Sequence, residues 1–144
     1  MDRSAPDLPP ELASWFRARG WQLRHHQREM LAVAETGRHA LLVADTGAGK
    51  TLAGFLPTLA DFCPSRLDGA SPPEGLHALY VSPLKALNYD IERNLRGPLA
   101  GLRSELAVGV RTGDTPQRDR ARMLRQPPDV LITRSGSGWP LVYR

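Results

Sequence analysis

The octapeptide Ala44-Asp45-Thr46-Gly47-Ala48-Gly49-Lys50-Thr51 constrains this chain more than any other segment. It follows an apolar run, His39 to Ala44, whose length and polar borders predict a strand buried on both sides. A helical pattern from Lys50 to about Phe62 follows it, with Leu52, Phe55, Leu56 and Leu59 available for burial and Pro57 predicting a bend. Between strand and helix, Gly47 and Gly49 let backbone N–H groups converge on an anion without Cβ obstruction. Lys50 then sets a positive charge beside the β and γ phosphates of a nucleotide, and the Thr51 hydroxyl is placed to ligate Mg2+. The usual pattern starts with Gly where this chain has Ala44, a position that tolerates Ala in extended backbone. The competing reading is a structural glycine turn.

A phosphate loop of this kind belongs to an α/β fold, and the rest of the chain has the material for one. Three further apolar runs, Leu76–Val81, Leu106–Val110 and Asp129–Thr133, alternate with helical segments. Those segments are Pro83 to about Leu102, interrupted at Gly97-Pro98, and Gln117–Arg125. The alternation predicts a parallel sheet with helices on its faces. Upstream, Leu12, Trp15 and Phe16 share one side of a short helix ending near Gly20. A second helix runs from about Leu23 to Thr36, with Met30, Val33 and Ala34 inward. Length permits a single domain: 144 residues build one sizeable core but not two full-sized domains.

Composition narrows the function classes. Lys and Arg number 19 against 15 Asp and Glu, a net +4 that permits a nucleic-acid partner without requiring one. Cys63 is the single cysteine, which excludes an intramolecular disulfide and suits a buried thiol in a reducing, cytoplasmic compartment. No apolar stretch reaches the roughly 20 residues needed to cross a bilayer, and Met1 to Pro10 lacks the apolar centre of a signal peptide, so no membrane partner is expected.

Outside the phosphate loop the residue types leave alternatives. Gln27 carries an amide able to donate to and accept from an adenine edge, with Trp21, Leu23 and Arg24 close enough to help form a base pocket; alone, it reads equally as a solvated helix residue. His25 and His26 lack a cluster at metal-ligand spacing. Ser82, Lys85 and Asn88 gather at the start of the helix after Pro83, where N–H groups and the dipole favour a phosphate. Arg111 and Thr112 add donors after the next strand. From Arg111 to Arg125, five arginines face Asp114 and Asp119: a field that draws in a strand, or a solvated helix face. Trp15, Trp21 and Trp139 are too scattered in sequence for a stacking platform and read as packing residues.

The sequence resembles superfamily 2 DEAD/DEAH-box helicases, most closely the Lhr-type and ligase-associated DNA helicase group. The resemblance rests on GWQLRHHQREML (20–31), ADTGAGKTLAGFLPTL (44–59), LYVSPLKALNYDIERNL (79–95) and RTGDTPQRDRARMLRQPPDVLIT (111–133). It implies a P-loop NTPase fold, here an incomplete RecA-like parallel sheet. It implies ATP with Mg2+ as cofactors, Gln27 and Arg24 on the adenine side, and Thr46, Gly47, Ala48, Gly49, Lys50 and Thr51 on the phosphates. Lys50 and Thr51 take the catalytic positions. Ser82, Pro83, Lys85, Asn88, Arg111, Thr112 and Gly113 are implied as contacts to a DNA backbone, with Asp114 in the second contacting segment beside Thr112 and Gly113, and with RNA the alternative strand.

After Thr133 such families continue with a Thr-Pro turn, a helix, and a strand bearing an acidic motif that holds magnesium and positions water. This chain reads RSGSGWPLVYR, residues 134–144, with no adjacent Asp-Glu pair. The expected organisation is therefore a helical lead-in at 1–20, a partial ATP-binding domain at 21–133 and an atypical tail at 134–144, from truncation, a frame change or a separately encoded remainder. Binding of ATP and nucleic acid is expected, without efficient hydrolysis or unwinding by this chain alone. The alternatives are a nucleic-acid-binding module without ATPase activity and a structural complementation fragment, with an exposed apolar sheet edge in either case.

Overall fold

A computed structural model describes residues 7–72, 74–102 and 105–134. Its elements are α1 (Pro10–Ala18), α2 (His25–Glu35), α3 (Lys50–Asp61), α4 (Pro64–Leu67), β1 (Ala78–Ser82), α5 (Lys85–Leu102), β2 (Val108–Arg111), α6 (Gln117–Arg125) and β3 (Val130–Arg134). They fall into two compact units. Among the described residues, 7–72 and 98–102 form the first, and 74–97 and 105–134 form the second. The tail residues 135–144, with Trp139, lie outside the described residues.

Local chemistry sets the helix limits. Pro10 supplies the preset φ of a first helical residue in α1, with Glu11 in its first turn. In α2 the Gln27 side chain accepts the Arg24 N–H at 3.0 Å, satisfying a donor that the helix leaves open. Asp119 in the first turn of α6 and Arg122 and Arg125 in its last oppose the helix dipole at both ends.

The first unit packs α2 against α3 and closes on Leu12, Trp15, Phe16, Leu31, Phe55, Leu56 and Leu59, all buried. Trp15 meets the Trp21 ring edge-on at 5.6 Å, so two tryptophans separated in sequence join one aromatic cluster with Phe16. The α2 face turned inward differs from expectation: Gln27 and Leu31 are its buried residues, while Ala34 is exposed. The connection after α3 ties the unit together. Ser65 donates to the Glu11 carboxylate from its N–H at 2.9 Å and its hydroxyl at 2.6 Å, and Arg66 bonds Glu35 at 3.0 Å. Burial works to raise the Glu11 pKa, but the Ser65 hydrogen bonds leave it below the ordinary value.

The predicted strand His39–Ala44 is absent. Those residues form no ladder with any described strand, and Leu41 and Val43 are 91% and 84% exposed. Apolar content alone does not make a strand; neighbours must accept its N–H and C=O groups.

The second unit is a parallel sheet in the order β1-β3-β2, the fold class read from the sequence. β3 is central and buried from Val130 to Thr133. Ala78 to Ser82 pair with Val130 to Arg134, and Val108 to Arg111 with Val130 to Thr133. Asp129 aligns the strand starts: its carboxylate accepts the Ala107 N–H at 2.7 Å, and its carbonyl accepts the N–H groups of His77 and Ala78. Between β1 and β2 the helix α5 runs continuously through Gly97-Pro98, where the sequence predicted an interruption, and the boundary of the two units falls at this dipeptide. No described helix is long and apolar enough to cross a membrane.

Candidate nucleotide and nucleic-acid sites

In the first unit the phosphate loop hands over directly to α3. Gly47 and Gly49 take φ of 78° and 77°, the left-handed region that a Cβ penalises, and Gly49 is the N-cap of α3. The Ala48 N–H closes a turn on the Asp45 carbonyl at 3.1 Å. Lys50 begins the helix and folds its ammonium back, donating to the carbonyls of Ala44 at 2.5 Å and Asp45 at 2.6 Å. Thr46 and Gly47 are exposed, Ala48 is half-buried, and Thr51 is exposed on the first turn of α3. The first four N–H groups of a helix lack intrahelical acceptors, so this terminus presents donors and the positive dipole end to an anion.

Gln27 connects this loop to a cavity of about 410 Å3. The side chain is 3% exposed; its carbonyl takes the Arg24 N–H and its amide donates to the Gly49 carbonyl at 3.4 Å. Arg24 reaches the Gly47 carbonyl at 3.4 Å from its guanidinium. Phe16, Trp21, Gln22, Arg24 and Leu52 share the cavity wall with Gln27 and the two loop glycines. Aromatic and aliphatic walls beside a buried amide suit a flat heterocycle. Leu23, expected in this wall, does not line the cavity, whereas Phe16 and Leu52 do. The periodicity of α1 and α3 marked those two as apolar without telling core from pocket wall.

Position 49 favours glycine because its backbone is left-handed, and it also lies close against Gln27. A Cβ there would come within 2.8 Å of Gln27 Nε2. Gln27 thus joins the cavity wall and the phosphate loop in one hydrogen-bonded arrangement.

The second unit sorts the expected backbone contacts into two layers. Pro83 and Gly113 are exposed, and Lys85 and Arg111 half-buried. Ser82, Asn88 and Thr112 are buried polar residues beneath them. Ser82 serves its own turn, its hydroxyl bonding Leu84 O and N, and Thr112 builds the turn after β2. Asn88 has no hydrogen-bond partner for either amide atom. Pro83, Lys85, Arg111 and Gly113 reach solvent, and the buried layer shapes the turns that carry them.

Two residues of this face have partners that the sequence did not indicate. Asp114, beyond Thr112 and Gly113, forms an ion pair with Lys85. Arg120, one of the five arginines between 111 and 125, donates to three carbonyls of the turn after β2: Thr115 at 2.8 Å, Thr112 at 3.3 Å and Gly113 at 2.5 Å. Arg118, by contrast, is exposed, its guanidinium 3.9 Å from Asp119. Among the described residues no group of three His, Cys, Asp or Glu gathers to hold a metal, and His25 pairs with Glu29 at 3.3 Å.

Comparisons with known proteins identify the family. The DEAD/DEAH box helicase family matches residues 24–139, more than half of the chain. The ATP-dependent helicase Lhr-Core of Methanothermobacter thermautotrophicus is 38% identical over 135 residues, covering 88% of this chain and 16% of the relative. The Lhr helicase/probable uracil glycosylase of Mycolicibacterium smegmatis is 46% identical over 120 residues, covering 74% and 8%. A solved structure of the Mycobacterium smegmatis helicase Lhr bound to ssDNA and AMP-PNP superposes with a TM-score of 0.77 at 39% identity, covering 88% of this chain and 17% of that one. This chain spans less than a fifth of the length of each. With the ordered motifs, the parallel sheet and this match in hand, the chain belongs to the DEAD/DEAH box helicase family and is similar to its Lhr members.

Proposed function

We propose that this chain is an ATP-binding and nucleic-acid-binding portion of an ATP-dependent DNA helicase, acting in the cytoplasm. Residues 1–20 serve as a helical lead-in and 21–133 as the binding portion. The observation that carries the reading is the Gln27 bridge: one buried amide sits in the wall of an aromatic cavity and bonds the carbonyl of the glycine that caps α3. A base and its phosphates are thereby sensed by adjoining atoms. Thr46 to Thr51 would hold the phosphates and Arg24 with Gln27 the adenine. A triphosphate fits the donor set, because left-handed glycines and a helix N-terminus converge where Lys50 can exchange backbone carbonyls for phosphate oxygens. Mg2+ fits as the companion of that triphosphate with the Thr51 hydroxyl as its protein ligand, supplying charge neutralisation between the phosphates.

The reading stops at binding. No adjacent Asp-Glu pair occurs in the sequence, so no residue pair is assigned to water activation, and unwinding by this chain alone is not proposed. Titration calorimetry tests the nucleotide site. Wild-type protein should bind ATP with Mg2+, and Lys50→Ala should weaken it about ten- to a hundredfold, the effect of one charge-assisted hydrogen bond. Equal affinities would remove Lys50 from the site, and no binding by the wild type would refute the nucleotide reading.

A second reading has one observation in its favour. Among the described residues β1 is paired on its β3 side alone, leaving a backbone edge for a further strand, and Leu79 and Val81 on one of its faces are 44% and 53% exposed, an apolar face for a further element to cover. As a complementation fragment, the chain would gain solubility or ATPase activity on co-expression with a separately encoded remainder of the helicase. Unchanged behaviour would argue against it.

A further inference from the structure

We propose that Asp114 is a built-in competitor for backbone phosphate at Lys85, and that Arg120 is the positioning residue that keeps it there. The inference rests on the reading of this face as a nucleic-acid contact and adds a restraint to it.

Arg120 is tied to the turn that carries the carboxylate. After β2 the chain doubles back through Thr112 to Thr115. The Thr112 N–H bonds the Thr115 hydroxyl at 2.8 Å, the Thr115 N–H returns to the Thr112 carbonyl at 3.2 Å, and the Asp114 N–H bonds the Thr112 hydroxyl at 3.4 Å. Arg120 then reaches back from α6 and binds the carbonyls of Thr112, Gly113 and Thr115 with one planar fork. Arg118, Arg122 and Arg125 share its helix, yet Arg120 is the one whose guanidinium closes this turn. A lysine could not reproduce it, since its ammonium lacks the fork geometry. The turn is thus held from within and from behind, and it carries Asp114 to Lys85.

Lys85 opens α5, where the helix dipole already favours an anion. The anion present is the Asp114 carboxylate. Their side chains are 42% and 68% exposed, and an ion pair so open to water is weak and exchangeable. A carboxylate and a phosphodiester oxygen make the same demand on an ammonium. An arriving strand must therefore displace Asp114 before it gains Lys85, and while bound it remains close to a charge of its own sign. Such a competitor lowers affinity for an isolated phosphate at this point and leaves stable binding to strands engaging several contacts at once.

Anisotropy of a labelled single-stranded DNA oligonucleotide, measured with the full chain, tests this through the cycle of Asp114→Asn, Lys85→Gln and both together. Asp114→Asn should tighten binding about two- to fivefold at low salt, the upper range of an exposed charge pair, and the gain should shrink as salt rises. In the Lys85→Gln background the same change should alter affinity less than about twofold. Equal tightening in both backgrounds would reduce Asp114 to a distant charge and overturn the inference, as would weaker binding by Asp114→Asn. Arg120→Lys, which keeps the charge and loses the fork, should erase the coupling; full coupling in that variant would overturn the role of Arg120. Thermal melting of each variant separates loss of the turn from loss of the fold. Absence of DNA binding by the wild type would instead refute the nucleic-acid reading of the face, whereas wild-type binding without coupling would refute the competitor alone.

Discussion

Two loops of this molecule are built on the same plan and differ in what closes them. At Ala44–Thr51 an ammonium, Lys50, ties the carbonyls of Ala44 and Asp45; at Thr112–Thr115 a guanidinium, Arg120, ties three carbonyls. Lysine is a point charge on a flexible stem and can trade carbonyls for another anion, whereas the arginine fork fits one arrangement. The first loop is closed by a group able to leave, and the second by a group suited to stay. The segments before them differ as well. β2 leads into the second loop as a paired strand, while the run before the phosphate loop has no strand neighbour among the described residues. Loop geometry at 46–51 is set by its glycines and by α3, not by a ladder upstream.

The largest effect that would break this contrast lies in those strand runs. Ile132→Ala, in the fully buried centre of β3, should destabilise the second unit by about 2–5 kcal/mol through lost contacts and the cavity left behind. Leu41→Ala, an apolar truncation in a similar-looking run, should change stability by no more than about 0.5 kcal/mol because the side chain is already in water. Urea unfolding of both variants decides it. A comparable loss at Leu41 would mean that the run is buried in solution and that the upstream strand exists after all.

Much of this was legible in the sequence, and the failures have a common cause. The α6 limits, three of the four strands and the phosphate loop follow from local patterns: apolar runs, glycine at a helix start, a Pro before a helix. His39–Ala44 failed because a buried strand is defined by partners elsewhere in the chain, which an apolar hexapeptide does not specify. The candidate site divided in the same way. Lys50 was legible because its partners, the carbonyls of Ala44 and Asp45, lie in the same octapeptide. Gln27 was marked by the family resemblance alone, its partner Gly49 and its cavity neighbours Phe16 and Leu52 being remote in sequence. Arg120 was not legible, because only the folded turn after β2 distinguishes it from Arg118, Arg122 and Arg125. Ser82, Asn88 and Thr112 looked alike as polar residues near a helix start or strand end, and only burial separates them from Lys85 and Gly113.

Glycine substitutions sharpen the contrast between the loops at an intermediate scale. Gly49→Ala places a Cβ on left-handed backbone and within 2.8 Å of Gln27 Nε2, so it should cost about 1–3 kcal/mol and weaken ATP binding as the bridge is pushed aside. Gly113→Ala meets nothing within 4 Å and has no left-handed φ to violate, so stability should stay within about 0.5 kcal/mol of the wild type. Thermal melting and calorimetry on the pair check both outcomes. If Gly113→Ala proved the more damaging, the turn held by Arg120 would be the more demanding of the two, and the order of the two loops would reverse.

The smallest effect isolates the unit that carries the phosphate loop. Cys63 follows α3, is fully buried, donates its thiol to the Leu59 carbonyl at 3.2 Å, and is the chain's single cysteine. Burial, reinforced by the negative charge of Glu11, pushes its pKa from 9.0 up to about 11. The folded state therefore holds this proton more tightly than the unfolded chain. The resulting stabilisation is complete below about pH 9 and is lost as pH rises through about 11, a loss on the order of 1 kcal/mol by pH 10. Urea midpoints at pH 8 and pH 10 should separate accordingly, and Cys63→Ala should lose that component of the pH dependence while showing a pH-independent packing loss. A thiol reagent should label the native protein slowly and the unfolded chain fast. Rapid labelling at pH 8 without loss of fold would show α3 opening at its C-terminal end, and would shift the contrast from how the two loops are closed to how firmly the elements behind them are packed.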